Sequence, residues 1–273
     1  MIDAHLHFWS PGRFRYRWLE NVPAIASDFG PAQFPKPGIE GAVFVQADCD
    51  PSQAVDEADW VAGLDFPVLG IVAYAPLELG EAARSVLAEL KARPLVRGVR
   101  RNAQDEPDGF MTGRYIDGMH AATEAGLSID MCIKSHQLPE MLRALEQVPQ
   151  ARVILDHLGK PEIARHGGDS TAGGWAEHIS TLAARPNTFC KLSGLSTEAN
   201  WETWTPGDIL PWLRHAIEAF GPERCLYGGD WPVVELSGGY SRWVDVVTTA
   251  VADLSEAAQQ RIWSGTAREV YRL

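Results

Sequence analysis

Cys225-Leu226-Tyr227-Gly228-Gly229-Asp230-Trp231-Pro232 is a short apolar run that breaks into two glycines, an acid and a proline. Apolar residues bounded by Gly and Pro mark a strand and the turn that ends it. The run has a counterpart at the start of the chain, Met1-Ile2-Asp3-Ala4-His5-Leu6-His7-Phe8. Six more lie between them: Gly41–Ala47, Val68–Ala75, Val96–Arg101, Leu127–Ile133, Ala151–His157 and Thr188–Gly194. Most are continuously apolar rather than alternating, as suits strands covered on both faces of a parallel sheet. The first and last runs start 223 residues apart (225 − 2), or about 32 per interval over seven intervals. A strand–helix–strand step needs about 30 residues. Glu81–Ala92, Leu138–Val148, Pro206–Phe220, Ser241–Leu254 and Glu256–Trp263 supply helical patterns between or after the runs. Thr205 is a candidate N-cap and Gly221-Pro222 a stop for the third of these. Eight such steps predict an α/β fold, a (β/α)8 TIM barrel. An open doubly wound sheet would carry G-x-G-x-x-G after its first strand, and none follows Phe8. Residues 10–38, rich in Pro, Gly and aromatics, form a long loop insertion after strand one, expected over the catalytic face. No repeat or linker interrupts residues 1–273, so a single domain is expected.

The composition sets outer limits. The chain has 273 residues, 45% hydrophobic and 22% charged, with 24 basic and 36 acidic side chains for a net charge of −12. Such an acidic chain is a poor partner for nucleic acid or an anionic membrane. Cys49, Cys132, Cys190 and Cys225 form no C-x-x-C pair, which argues against a zinc knuckle or redox motif and for buried, reduced thiols. With neither a basic leader nor a run of about 18 apolar residues, a cytoplasmic protein is expected.

The chemistry gathers at the strand ends, where barrel enzymes keep their active sites. His5 and His7 are two apart, so on a strand they share a face and could grip one cation or polarise one oxygen. Alone, H-x-H is also a common structural pattern. Asp230 ends strand eight, and strands eight and one are neighbours when a barrel closes, so the carboxylate and the two imidazoles are predicted to meet. Asp156-His157-Leu158-Gly159-Lys160-Pro161 ends strand six, and His157 is a third ligand or a donor to a carbonyl. Arg100 ends strand four, and alternation along strand five aims Lys134 and His136 inward. Gln46 ends strand two. Trp9 and Trp231, beside the two main motifs, offer aromatic faces suited to the apolar C–H face of a sugar.

His5-Leu6-His7, Val43-Phe44-Val45-Gln46-Ala47, Arg97-Gly98-Val99-Arg100-Arg101, the strand-six motif, Lys191-Leu192-Ser193-Gly194-Leu195 and Tyr227 to Pro232 occur in this order. The set resembles the amidohydrolase superfamily over essentially the whole chain, and within it the branch of TIM-barrel sugar lactonases such as L-fuconolactonase and L-rhamnonolactonase. The resemblance implies an enzyme, a hydrolase that opens a small-molecule sugar lactone to its hydroxy acid. It implies Asp230 as the group that activates water, His157 as a catalytic partner, and His5, His7, His157 and Asp230 as the ligands of one divalent metal, for which zinc suits the imidazole and carboxylate donors. Trp9, Gln46, Arg100, Lys134, His136 and Trp231 are expected to bind substrate. Relatives with two metals end strand four with a carboxylated lysine; Arg100 and Arg101 stand there here, which argues against a second ion. The cationic side chains could also supply the positive field without a metal. A mononuclear-metal decarboxylase or amide hydrolase, and a sugar-binding barrel without turnover, are the competing readings.

Overall fold

Each of the eight apolar runs contains one strand of a single parallel sheet in the computed structural model, which describes residues 1–35 and 38–273. Lys36 and Pro37, within the expected insertion, lie outside the described residues. The strands are β1 Ile2–Leu6, β2 Gly41–Val45, β3 Val68–Tyr74, β4 Val96–Arg100, β5 Ser128–Met131, β6 Val153–Leu155, β7 Thr188–Leu192 and β8 Cys225–Tyr227, each paired with the next in sequence. Every strand is shorter than the apolar run that announces it, because the last residues of each run turn over the mouth. The helices are α1 Ala54–Ala62, α2 Arg84–Lys91, α3 Arg114–Glu124, α4 Leu138–Gln147, α5 Ile163–His166, α6 Trp175–Ala183, α7 Pro206–Phe220, α8 Tyr240–Val251, α9 Glu256–Gln260 and α10 Thr266–Tyr271. Helical crossovers between parallel strands cover the outside of such a sheet. In α7 the Thr205 hydroxyl and the Asp208 carboxylate form a reciprocal cap. The arrangement is a nearly closed (β/α)8 barrel.

Closure lies between β8 and β1. Leu6 pairs with Trp231 in a parallel bridge, Asp230 N–H donates to His5 O at 2.7 Å, and His7 N–H donates to Trp231 O at 2.8 Å. The buried Asp3 carboxylate stitches the same seam. It accepts from Gly229 N–H at 2.8 Å, from the Tyr240 hydroxyl at 2.8 Å and from His5 N–H at 2.9 Å. Gly228 permits this approach, since a Cβ there would sit 2.7 Å from the Cβ of His5.

The barrel interior is layered. Ile2, Ala4, Val43, Val45, Val72, Ile154, Phe189 and Leu226 form an apolar plug with Ala267, Val270 and Tyr271 of α10. Leu273 reaches Gly70 near the start of β3, and Arg268 pairs with Glu40 just ahead of β2, so α10 lies across the N-terminal end. The four cysteines are buried and unpaired. Among the described residues no helix is long and apolar enough to cross a membrane.

Candidate active site

Three strand ends, those of β1, β6 and β8, meet at the C-terminal mouth of the barrel. His5 Nε2 and His7 Nε2 lie 3.2 Å apart. Asp230 Oδ1 lies 3.7 Å from the first and 3.4 Å from the second. His157 comes from the end of β6, its ring centroid 4.4 Å from that of His5. All four side chains are buried. His157, Leu158, Lys160 and Asp230 have positive φ, a backbone region that disfavours side chains and costs of the order of 1–3 kcal/mol per residue. Such strain concentrates at functional sites, where the surroundings enforce it. His157 is enforced from β7: its Nδ1 bonds the Ser193 hydroxyl at 2.9 Å. Gly194 passes so close, at φ +64°, that a Cβ would lie 2.3 Å from that nitrogen.

The protonation pattern follows from these contacts. His7 Nδ1 is 2.7 Å from Val45 O. A carbonyl only accepts, so this nitrogen carries the proton and Nε2 presents its lone pair to the cavity. Burial pushes the His157 imidazole down to about 4, helped by Lys160 and Arg100 against Asp230 and Asp156. Burial and the Lys191 ammonium likewise hold His5 well below its ordinary value. Both rings are therefore neutral at pH 7. Asp230 is held well below the usual carboxylate range: burial opposes its charge, and the imidazoles of His157, His7 and His5 outweigh it. Burial also opposes the charge on Lys160, yet Cys132, Glu198 and Asp230 more than restore it, and its Nζ pairs with Glu198 at 3.0 Å. Asp230 is thus ionised, with the neutral imidazoles of His5 and His157 and a full cation nearby.

The donor set fits a cation. A tetrahedron on bonds of about 2.0–2.1 Å, the usual zinc–nitrogen and zinc–oxygen lengths, has edges of about 3.3–3.4 Å, and the three separations above bracket that value. His5, His7 and Asp230 form one group able to hold an ion, and His5, Asp156 and His157 form an adjoining one.

The cavity above these residues measures about 190 Å³ and is lined by His7, Arg100, His157, Lys160 and Asp230 with Trp18, Asp48, Asn102, Gln104, Asp105 and Cys132. A larger groove of about 690 Å³ on the flank is apolar in its described lining apart from the single carboxylate of Asp65, with no imidazole or cation beside it among the described residues that line it. Trp18 brings the insertion to the mouth and donates through its indole N–H to Ala47 O at 2.8 Å. The side chain of Arg100 enters the cavity and spans Gln46 O at 2.6 Å and Asp156 Oδ2 at 3.3 Å.

Five of the side chains expected at substrate are placed otherwise. β5 ends at Met131, so strand alternation stops aiming side chains inward after Cys132. His136 is exposed on a one-turn helix over Ser135–Gln137. Lys134 is half exposed and pairs with Asp105 at the rim, at 2.8 Å. Trp9 donates its indole N–H to Ser27 O at 2.9 Å and packs edge-on against Trp18 and Phe29. Trp231 is buried among Phe8, Phe29 and Phe34. Both indoles are thus spent under the insertion rather than facing the cavity. The Gln46 carboxamide turns to Asp48, whose Oδ1 accepts from it at 2.9 Å. Asp48, Asn102, Gln104 and Trp18 were not anticipated. For Asp48 and Asn102 the available signal was position, since each lies just beyond a strand end.

Comparison with known proteins gives a consistent neighbourhood. Residues 2–273 match the amidohydrolase family model. L-fucono-1,5-lactonase of Burkholderia ambifaria is 32% identical over 286 residues, covering 100% of this chain and 95% of that protein. L-fucono-1,5-lactonase of Burkholderia multivorans is 31% identical over 289 residues, covering 100% and 96%. A crystal structure of a Burkholderia multivorans amidohydrolase with bound zinc superposes with a TM-score of 0.89 at 30% identity, covering 100% of this chain and 99% of that one.

Proposed function

The chain belongs to the amidohydrolase family, and on that premise we propose that it is a lactonase, one catalytic domain over residues 1–273 that opens a sugar-acid lactone such as L-fuconolactone or L-rhamnonolactone to its hydroxy acid. The observation that carries the reading is the meeting of an ionised Asp230 with His5, His7 and His157 under a small polar cavity. Its volume of about 190 Å³ is below the roughly 300–1,000 Å³ of drug-sized ligand sites, so it suits a single small ring. Asp48, Asn102 and Gln104 on its wall offer the acceptors and donors that ring hydroxyls require. The relatives named as L-fucono-1,5-lactonases point to the same substrate class.

In this reading Asp230 takes a proton from water as the water oxygen bonds to the lactone carbonyl carbon. Negative charge gathers on the carbonyl oxygen, where His157, Arg100 and Lys160 stabilise it. The ring C–O bond then breaks, and the departing oxygen takes back the proton held on Asp230. The product is a hydroxy acid, which releases one proton at neutral pH. The positive groups around the carbonyl oxygen supply electrostatic stabilisation beside that proton transfer. His5, His7 and Asp230, with His157 beside them, would hold one divalent ion such as zinc, which when bound polarises a carbonyl and acidifies water.

A panel of aldonolactones followed with a pH indicator, before and after chelation and with metal analysis, tests the proposal. The expected result is acid release from one or more sugar lactones, lost in Asp230→Asn. Proton uptake from aromatic acids would signal a decarboxylase instead, and binding without turnover a non-catalytic barrel.

A further inference from the structure

Below the imidazoles the barrel holds a buried layer of charge that the mechanism above does not use. Lys191 on β7, Asp130 on β5 and Asp156 at the end of β6 are each fully buried. The Lys191 ammonium donates to Asp130 Oδ2 at 2.5 Å and lies 3.0 Å from Asp156 Oδ1. Its third neighbour is His5 Nδ1, at 3.2 Å. Asp130 Oδ2 also accepts from the hydroxyl of Tyr271 at 2.7 Å, and the Lys191 ammonium lies over the Tyr271 ring, 5.7 Å from its centroid. A continuous line of contacts thus runs from α10, at the far end of the barrel, to the first imidazole of the site.

The polarity of this line is fixed at both ends. His7 Nδ1 donates to Val45 O, so His7 Nε2 is an acceptor in the neutral ring. His5 Nε2, 3.2 Å away, must then be the donor. A neutral His5 with its proton on Nε2 has a bare Nδ1, and that nitrogen faces the ammonium. The alternative has Nδ1–H donating to Asp156 Oδ1 at 3.3 Å. It would aim two lone pairs at each other across the 3.2 Å gap unless a cation stood between them.

We propose that Lys191 is a positioning residue for the reaction: it donates to His5 Nδ1 from behind, holds the ring as the Nε2–H tautomer, and is itself seated by Asp130 and the Tyr271 hydroxyl, so that the last helix sets the first imidazole. The inference rests on His5 belonging to the reaction site. Asp156 is the competing partner: an ion bound by His5 Nε2 requires the other tautomer and a proton shared with Asp156. Lys191 therefore works against ion binding at His5, both through the tautomer and through like charge.

Long-range nitrogen–proton spectra of the full-length, histidine-labelled protein at neutral pH test this directly. Without added metal, His5 should show an unprotonated Nδ1 and a protonated Nε2. Tyr271→Phe removes one hydroxyl remote from the mouth. It should shift the His5 nitrogen signals and lower kcat about fivefold with KM unchanged, the size expected from one hydrogen bond of about 1 kcal/mol. Lys191→Met should move the proton to Nδ1 and tighten zinc binding, measured by calorimetry, about tenfold or more. A protonated Nδ1 in the unaltered protein would overturn the proposal. So would a Tyr271→Phe protein that melts at a lower temperature while its His5 signals and kcat stay as before. If Lys191→Met does not fold, the other two arms decide. If no lactone is turned over, the lactonase reading fails, and the nitrogen signals still decide the role of Lys191.

Discussion

The ends of β8 and β5 both run from apolar strand into sequence with charged or polar side chains, Gly-Gly-Asp-Trp and Lys-Ser-His-Gln, and the structure treats them in opposite ways. Past Tyr227 the chain keeps its partners. Gly228 N–H donates to Leu192 O, Asp230 N–H to His5 O, and Trp231 O accepts from His7. Those bonds hold the Asp230 carboxylate over the barrel axis. Past Met131 the chain leaves the ladder, turns once through Ser135–Gln137 and starts α4. Among the described residues its cation pairs with Asp105 alone, at the rim, and its imidazole reaches solvent. Alternation tells where a side chain points only while neighbouring backbone holds the strand in register.

Substitutions on the two sides of this contrast should differ by orders of magnitude. Asp230→Asn keeps the shape and removes the base, and kcat for lactone opening should fall about 10²–10⁴-fold. Retention of near-normal turnover in single-turnover assays would remove Asp230 from the proposed role. Gly194→Ala attacks the same mouth from β7 by pushing a methyl group onto His157 Nδ1 in a backbone region that disfavours it. A loss of about 10- to 100-fold in kcat is expected, with a lower melting temperature; crystals of the variant should show the His157 ring displaced.

A smaller effect tests the wall between mouth and helices. Glu57 of α1 is buried, accepts from Ala47 N–H at 3.3 Å and faces Tyr16, Cys49, Asp48 and Arg100. Burial pushes its carboxyl up to about 8 from 4.5, against the pull of Ala47, Tyr16 and Arg100. Between those values the folded chain holds a proton that the unfolded chain has released. The contribution is therefore fully present below pH about 4.5 and is lost as pH rises towards 8. Glu57→Gln should flatten that decline in stability, by an amount of the order of a few kcal/mol, and so give a smaller fall in melting temperature as pH rises. An unchanged pH profile would show that Glu57 is ionised in the fold. On the strand-five side, His136→Ala should leave kcat within about twofold and stability within about 0.5 kcal/mol, as exposed substitutions do. A larger loss would mean that the turn after β5 closes over substrate.

Much of the architecture was readable because parallel strands must be apolar on both faces, and eight such runs at even spacing permit few arrangements. The meeting of His5, His7 and Asp230 was readable for the same reason, since closure makes β8 and β1 neighbours. The charged layer of Asp130, Asp156 and Lys191 was hidden because Lys191 meets its two carboxylates across 35 and 61 positions of sequence (191 − 156, 191 − 130), a separation that no local pattern reports. Helix α3 was hidden by Gly118, whose missing side chain lets the helix pack on Leu77 at the expense of helical propensity. The fates of Trp9 and Trp231 depended on where the long insertion runs, and no local pattern encodes that.

The seam between β8 and β1 also has a consequence in time. During synthesis His7 leaves the ribosome 223 residues ahead of Asp230 (230 − 7), and neither Asp3 nor His5 finds its last backbone partner until the eighth strand arrives. A nascent or prematurely ended chain has no carboxylate beside His5 and His7, so on the proposed reading hydrolysis begins only when the last strand of the cylinder docks against the first.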